Sequence, residues 1–378
     1  MTCKVTLQKN SFAESLAIVG RAVGTHTHLP VLSNILLSKD QGQIRLSATN
    51  LTLCVTTWLD AQLDGDLALT LPAKTLTDVI NSLSEPQVII TANGKPEAAI
   101  NCGTYKGTVK GIEASEYPEI PAFDISNGVS INANTLKEMI RKVVFATSLD
   151  ESRPVLNGVL VSMIERILTM VATDGFRLTH CTSELSTSLG KRQVLIPAVA
   201  LKEVLRILTT TRVQQITLVL PPVGNQIVLH CENVQIVSQL IDGKYPEYQA
   251  IIPKSHKTRV IVPQVELIKA CKQASIIARE GSNIVRFHLV PGMEKSGKMR
   301  LSAESDETGA SEIELAATVE GQPLEIAFNV KYLLDGLEVL PGGDVIIETN
   351  AFNTPAKIRS AREEDYYYIL MPMHIDGK

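Results

Sequence analysis

The chain has 378 residues and a formal net charge of −4. Its length exceeds what one ordinary core serves, so two or three globular domains are expected, and its charge excludes a uniformly basic nucleic-acid binder. Only 4% of residues are aromatic, so the cores must be built from Leu, Ile, Val and Ala.

The opening MTCKVTLQKNSF reads as neither a signal peptide nor a transit peptide. No apolar run approaches the ~20 residues of a membrane helix. Cys3, Cys54, Cys102, Cys181, Cys231 and Cys271 stand singly, without C-x-x-C or zinc spacing. Buried thiols in a reducing cytosol are expected, hence a cytoplasmic protein with no membrane partner.

From here the chain repeats itself. LPVLSNILL (29–37) corresponds to RPVLNGVLV (153–161). IRLSATNLTL (44–53), LTMVATDGFRL (168–178) and MRLSAESDETG (299–309) hold equivalent places, as do ASEYPEIP (114–121) and DGKYPEYQAIIP (242–253). LTLPAKTLTDVINSL (69–83), VLIPAVALKEVLRIL (194–208) and IAFNVKYLLDGLEVL (326–340) each read as strand, break and amphipathic helix. Equivalents lie about 125 to 130 residues apart, a third of the chain, which makes three copies of one domain. VSINANTLKEMIRKVVFATS (129–148) is also strand then helix, and 214–241 reads as antiparallel strands with turns at 221–225 and Glu232-Asn233. Each domain is therefore two β-α-β-β-β half-units.

Apolar stripes mark the helices: Leu136, Met139, Ile140, Val143 and Val144; Leu76, Val79, Ile80 and Leu83; Leu201, Val204, Leu205 and Leu208. The opposite faces carry eleven bases (Arg21, Lys74, Lys137, Arg141, Lys142, Lys202, Arg206, Lys269, Lys272, Arg279, Lys331) against seven acids (Glu14, Asp78, Glu138, Glu203, Glu266, Asp335, Glu338). Two readings stand: solvated helix faces with ordinary charge mixing, or one basic surface facing an acidic polymer.

No nucleophile, base or metal set emerges, so a scaffold is expected rather than an enzyme, with no cofactor. ATDG (172–175) reads as a hairpin turn, because the parallel ATNL carries Asn50 where Asp174 stands. EEDYYY (363–368) reads as a solvated turn at a strand entry.

The ordered set RPVLNGVLV, VATDGFRL, DGKYPEYQAIIP, FNVKYLLDGLEVL and YYYILMPM resembles the bacterial DNA polymerase III β subunit, the processivity sliding clamp, over essentially the whole chain. The resemblance implies an α+β fold of three tandem clamp domains, 1–125, 126–254 and 255–378. Two chains would close head to tail into a six-domain ring, with sheets outside and helices lining a hole around duplex DNA. It implies DNA-facing residues Arg21, His26, Lys74, Lys137, Arg141, Lys142, Arg153, Lys202, Arg206 and Lys272. A dimer seam would use Lys74, Lys106 and Val109 on one side and Ile276, Ile277, Glu304 and Glu307 on the other. A hydrophobic groove would comprise Leu156, Thr173, Gly175, Phe176, Arg177, Leu178, Pro246, Ile251, Asn329, Tyr332, Ile369, Leu370, Met371, Pro372 and Met373. There Arg177 and Asn329 would meet a peptide's polar groups, and the methionines would adapt to several apolar ligands. The implied partners are the replicative polymerase alpha subunit, the clamp-loader delta subunit, other polymerases, and mismatch-repair and ligase-type proteins, at the nucleoid.

The chain departs from the family pattern at several positions. Phe176 stands where some relatives have a histidine, Ser282 where some have a phenylalanine, and Gly107 where an aromatic is frequent. Ala198 and Val199 replace basic residues, and His26 lies in a loop that is basic in some relatives. The tail YYYILMPMHI (366–375) is expected to supply a last strand over Tyr366–Leu370, with pairing ending near Pro372.

Overall fold

Six times along the chain a strand leads into an amphipathic helix and returns as three strands. The computed structural model describes residues 2–24, 29–188, 190–211, 213–221, 224–280, 282–292 and 296–374. The first repeat is β1 (Cys3–Gln8), α1 (Lys9–Val19), β2 (Asn34–Asp40), β3 (Gln43–Thr49) and β4 (Leu53–Leu59), followed by the short β5 (Gln62–Asp64). The second is β6 (Ala68–Pro72), α2 (Ala73–Ser82), β7 (Gln87–Ala92), β8 (Glu97–Cys102) and β9 (Tyr105–Lys110). The third is β10 (Val129–Asn132), α3 (Ala133–Val143), β11 (Gly158–Ile164), β12 (Ile167–Thr173) and β13 (Arg177–Glu184). The fourth is β14 (Lys191–Pro197), α4 (Ala198–Thr210), β15 (Gln215–Val219), β16 (Gln226–Cys231) and β17 (Val234–Gln239). The fifth is β18 (Thr258–Pro263), α5 (Gln264–Ala278), β19 (Ile284–Pro291), β20 (Ser296–Ser305) and β21 (Gly309–Gly321). The sixth is β22 (Leu324–Asn329), α6 (Val330–Glu338), β23 (Asp344–Thr349), β24 (Ala356–Ser360) and β25 (Tyr366–Leu370).

The half-units exchange their first strands. β1 completes the β7-β8-β9 sheet and β6 completes β2-β3-β4; the later pairs do the same, β10 with β15-β16-β17 and β14 with β11-β12-β13. β18 and β22 repeat the exchange in the last third. A β-rich run thus finds its hydrogen-bond partners across the neighbouring repeat.

The chain divides into two compact units. One, Met1–Asn134 with Val199–Leu240, holds a five-stranded sheet (β5-β1-β7-β8-β9) and an eight-stranded one (β10-β15-β16-β17-β4-β3-β2-β6). The other, Thr135–Ala198 with Ile241–Lys378, holds a twelve-stranded sheet (β14-β11-β12-β13-β25-β24-β23-β18-β21-β20-β19-β22). The ladders are antiparallel, and two of them splice repeats together: β17 on β4, and β25 on β13.

The helices bury the faces their spacing dictates. Leu136, Met139, Ile140 and Val143 of α3 are all buried, each contributing about 1.5–3 kcal/mol. In α2, Leu76 and Ile80 are buried, Val79 is half-buried, and Leu83 is buried just past the helix end. In α4 the expected stripe shifts: Leu201, Val204 and Leu208 are buried, but Leu205 is half-buried and Ile207 takes the core position. Pro72, Pro197 and Pro263 end β6, β14 and β18, where the missing N–H stops the ladder and the helix follows at once. The turn at Glu232-Asn233 separates β16 from β17, whose ladder closes at Cys231↔Val234. Of the turn at 221–225, residues 222 and 223 lie outside the described residues.

Candidate functional site

The hairpin between β12 and β13 is built by its own side chains. Thr173 Oγ1 accepts from Gly175 N (3.1 Å) and donates to Arg177 O (2.6 Å). Asp174 Oδ1 accepts from Phe176 N (2.9 Å) and Arg177 N (3.0 Å). Gly175 holds φ +96°, a conformation glycine adopts without steric cost. Asp174 is therefore a turn residue, and its second oxygen accepts from Arg177 Nε at 3.0 Å.

Three of the five N–H donors of Arg177 are engaged within the protein, Nε by Asp174. Nη1 reaches Asp335 Oδ2 (2.5 Å) on α6 and Nη2 reaches the Phe145 carbonyl (3.0 Å). The guanidinium carbon lies 4.3 Å from the Tyr332 ring centre and 5.4 Å from that of Phe145. Its side chain is only 9% exposed and lies between the two aromatic rings and their acidic and carbonyl partners. Phe145 and Asp335 are distant in sequence and are brought to Arg177 by the fold. Asn329 is likewise committed through Oδ1, which caps α6 by accepting from Lys331 N (3.0 Å) and Tyr332 N (3.3 Å).

Above this support Phe176 is 55% exposed and stacks on Tyr332, ring centres 6.4 Å apart and 28° off parallel. Tyr332 is held from behind by Tyr368, whose hydroxyl donates to the Tyr332 carbonyl at 2.8 Å. Burial pushes the Tyr368 hydroxyl well above its usual range, which keeps it a donor.

The tail completes the site. β25 lies on β13 with Leu178 opposite Ile369 and Arg177 opposite Leu370. It ends at Leu370, and Met371 N then donates to Phe176 O (2.9 Å) and Met373 N to Ala327 O (2.8 Å). Pro372 sits between these two anchors. Leu156, Leu178 and Ile369 are buried in one cluster with Leu160, Val171, Leu195 and Tyr245, a floor against which Ile252, Tyr248 and Val155 pack. Leu370 points to the other face with Arg177, and Thr173 is buried with its hydroxyl engaged. Of the residues assigned to the groove, Phe176, Pro246 and Ile251 are accessible, with half-buried Tyr332, Met371, Pro372 and Met373 beside them. Ser282 is exposed.

The cations assigned to DNA are placed very differently. Arg141 pairs with Glu138 (2.9 Å) and also donates to Val339 O (3.2 Å). Arg206 pairs with Glu203 (2.6 Å), which also lies 3.7 Å from Arg21; Arg153 pairs with Asp150 (3.2 Å) and Lys272 with Glu338 (2.8 Å). Lys142 is turned into the fold, 12% exposed, ion-paired with Glu363 and lying over the Tyr366 ring. Among the described residues no ion pair holds Lys74, Lys137 or Lys202. The helices are thus less positive than their own acids indicated, because Asp150 and Glu363 lie off the helices. Arg21 sits in the 3-10 turn Gly20–Ala22 past α1, and Arg279 is the C-cap of α5. His26 lies outside the described residues. Ala198 is buried, and Val199 is 60% exposed at the start of α4.

At the assigned seam, Lys106 is exposed and Val109 buried on β9, the edge strand of the five-stranded sheet. A Cβ on Gly107 would run into the Tyr105 ring, which lies across it. Tyr105, two residues earlier on the same strand face, thus covers Gly107. Ile276 is 55% exposed on α5, and Glu304 and Glu307 flank the β20–β21 hairpin.

Burial pushes the thiols of Cys54 and Cys231 up to about 11 and those of Cys181 and Cys271 up to about 12, so they are protonated at neutral pH. Among the described residues no group of three or more His, Cys, Asp or Glu is disposed to hold a metal ion. No described helix is long and apolar enough to cross a membrane.

Three domains of repeated βαβββ halves, with an apolar surface lined by the tail, define the β-clamp class of α+β proteins. Models of the DNA polymerase III beta subunit match the chain in series: the N-terminal domain over residues 3–121, the central domain over 130–247 and the C-terminal domain over 249–374. The chain is 30% identical over 376 residues to the beta sliding clamp of Synechococcus elongatus, covering 98% of this chain and 99% of that one. It is 28% identical to the Bacillus subtilis beta sliding clamp, with the same coverage. The crystal structure of the B. subtilis DNA polymerase sliding clamp superposes with a TM-score of 0.93 at 27% identity, covering 99% of this chain and 100% of that one. A Pseudomonas aeruginosa sliding clamp bound to griselimycin gives 0.90 at 27% identity and the same coverage. The chain belongs to the DNA polymerase III beta subunit family: it is a beta sliding clamp, the non-catalytic processivity subunit of that polymerase.

Proposed function

We propose that this clamp works as a homodimeric ring that encircles duplex DNA, slides without reading sequence, and tethers partner proteins through the Phe176–Tyr332–Met371 site. The domains would fall at 1–125, 126–254 and 255–378, and the ring would act at the nucleoid. The observation that carries the groove is the Met371 N to Phe176 O bond: it leaves an apolar, sulfur-rich tail half-exposed beside an exposed aromatic stack, over a floor of Leu156, Leu178 and Ile369. Such a surface suits short apolar peptides, with flexible thioethers adapting to several side chains. The replicative polymerase alpha subunit, the clamp-loader delta subunit, other polymerases, and mismatch-repair and ligase-type proteins would compete for it.

The seam would join β9 of one chain, with Lys106, Val109 and Lys74 near it, to the third domain of the other, with Ile276, Ile277, Glu304 and Glu307. Support comes from open backbone edges: β9 ends its sheet, and, among the described residues, 309–317 of β21 pair with β20 alone. Of the basic residues, Lys74, Lys137 and Lys202 are best placed energetically to meet phosphates, since no acid must be displaced. Contacts of this class are weak, with Kd about 10⁻⁴ to 10⁻⁶ M, so topology rather than affinity would hold the protein on DNA.

The test is retention on nicked circular against linear plasmid after loading. Retention on the circle and loss from the linear form is expected; equal retention on both would overturn the ring. For the groove, griselimycin is titrated into wild type and into the double variant Met371→Ala, Phe176→Ala. Loss of binding with an intact dimer is expected, and unchanged affinity would refute the assignment.

A further inference from the structure

The sheet face that forms the groove floor continues past it into a second depression. Ladder registers put Gln193, Ser162 and Thr169 side by side on β14, β11 and β12. With Lys191, Arg192, His180, Tyr248 and Gln249 they line an open pocket of ≈ 630 Å³. Its lining holds two cations and no acid, in a chain whose net charge is −4.

One wall of this pocket is aromatic. His180 stacks on Tyr367 with ring centres 4.6 Å apart and 7° off parallel, and Tyr248 lies 6.2 Å from His180. Lys357 Nζ sits 4.8 Å from the Tyr367 ring centre, adding a third cation. Lys191, Arg192 and Lys357 have no ion-pair partner among the described residues, unlike Arg141, Arg206 and Lys272. Burial and the Lys357 charge hold the His180 imidazole below its ordinary pKa, so the positive field comes from the long side chains.

The pocket adjoins the groove through one turn of chain. Tyr248 and Gln249 line the pocket, while Pro246 and Ile251, from the same segment, belong to the groove assignment. Tyr248 and Tyr367 also pack on the groove floor. A bound polypeptide advances about 3.3 Å per residue, so a few residues carry it from one site to the other.

We propose that this basic, aromatic-walled pocket receives an acidic stretch of a partner polypeptide, with carboxylates on Lys191, Arg192 and Lys357 and an apolar or aromatic side chain against Tyr248. Its role as an extension of the groove rests on the groove reading above. Charge complementarity and continuity with that peptide surface favour a polypeptide over a nucleic acid, whose affinity would come chiefly from phosphates.

The test uses the full-length dimer and a capped peptide, Glu-Glu-Tyr-Asp-Glu, by isothermal titration at low salt. Saturable binding is expected, weakened at least fivefold in Lys191→Ala, Arg192→Ala and screened by added salt. Both residues line the pocket from β14, an edge strand, and circular dichroism melting verifies the fold. Binding that survives the double variant, or no binding at all, overturns the proposal; so does a ten-residue oligothymidylate that displaces the peptide at lower concentration. Griselimycin at saturation should leave this affinity unchanged. Failure of griselimycin to bind would count against the groove alone, whereas loss of peptide binding with griselimycin still bound would count against the pocket alone.

Discussion

The same turn occurs twice in this chain, and only the second copy carries an exposed aromatic stack. At 49–53, Asn50 Oδ1 accepts from Thr52 N (3.1 Å) and Leu53 N (2.8 Å), and Thr49 Oγ1 donates to Leu53 O (3.0 Å). At 173–177, Asp174 and Thr173 make the corresponding bonds. The strand beyond repeats too: Gln239 N donates to Thr52 O at 2.9 Å just as Met371 N donates to Phe176 O at 2.9 Å. The buried cluster of Val31, Leu32, Leu36 and Tyr117 parallels the floor of Leu156, Leu160 and Tyr245. Scaffold and floor are therefore common property. The difference is four residues: Asn50, Leu51, Thr52 and buried Leu53 in the first copy; Asp174, Gly175, Phe176 and Arg177 in the second. Both turns hold a positive φ, at Leu51 and at Gly175, so it is the arginine that gathers two aromatic rings, and the phenylalanine in place of Thr52, that give the second hairpin an exposed apolar stack.

That contrast is open to experiment. Arg177→Leu imposes the first turn's residue on the second and leaves Asp174, 12% exposed, without its cation. A loss of roughly 3–5 kcal/mol in urea unfolding is expected, with griselimycin binding abolished. Wild-type stability in this variant would show that the cation is dispensable.

Phe176→Thr removes only the exposed ring. Unfolding free energy should stay within about 0.5 kcal/mol of wild type, while griselimycin affinity falls roughly tenfold. A large stability loss would instead make Phe176 part of the core.

The basic residues sharpen the comparison from the other side. Replacing Lys74, Lys137 and Lys202 by Ala should leave the melt unchanged and flatten the salt dependence of DNA retention, by a slope of about 0.9 per lost contact. Lys142→Ala should do the reverse: it frees Glu363 from its buried partner and lowers stability, with little change in salt slope.

The smallest effect concerns pH. The folded His180 pKa lies below its unfolded value, so the unfolded chain binds the extra proton. Its stabilising contribution is whole above about pH 6.5 and is lost as pH falls through 6.5 towards the folded value. His180→Gln should reduce the drop in melting temperature between pH 7.5 and 5.5; an unchanged drop would assign that sensitivity to other groups.

Much of this protein was legible in one dimension. Threefold repetition, the half-units, the apolar stripe of α3, the hairpin at Asp174 and the final strand Tyr366–Leu370 follow from local rules: 3.6- and 2-residue periods, turn chemistry, and proline's missing donor. Even there, the α4 stripe moved to Ile207 because tertiary packing, not spacing, chose among neighbouring aliphatics. Charge was the least legible property. A lysine on a helix reads as solvent-facing, yet Lys142 turns inward to Glu363, more than two hundred residues away.

Sequence alone thus determined the repeat, the elements and the turn that holds the site, because each depends on residues a few positions apart. Tertiary structure alone decided which polar groups remain free. Arg177 gives a donor to Asp335, 158 residues away, and another to the Phe145 carbonyl, neither of which its own turn foretells. Hydrogen bonds and ion pairs are satisfied by proximity in space, and proximity across a hundred or more residues is set by the packed sheets, not by any local pattern.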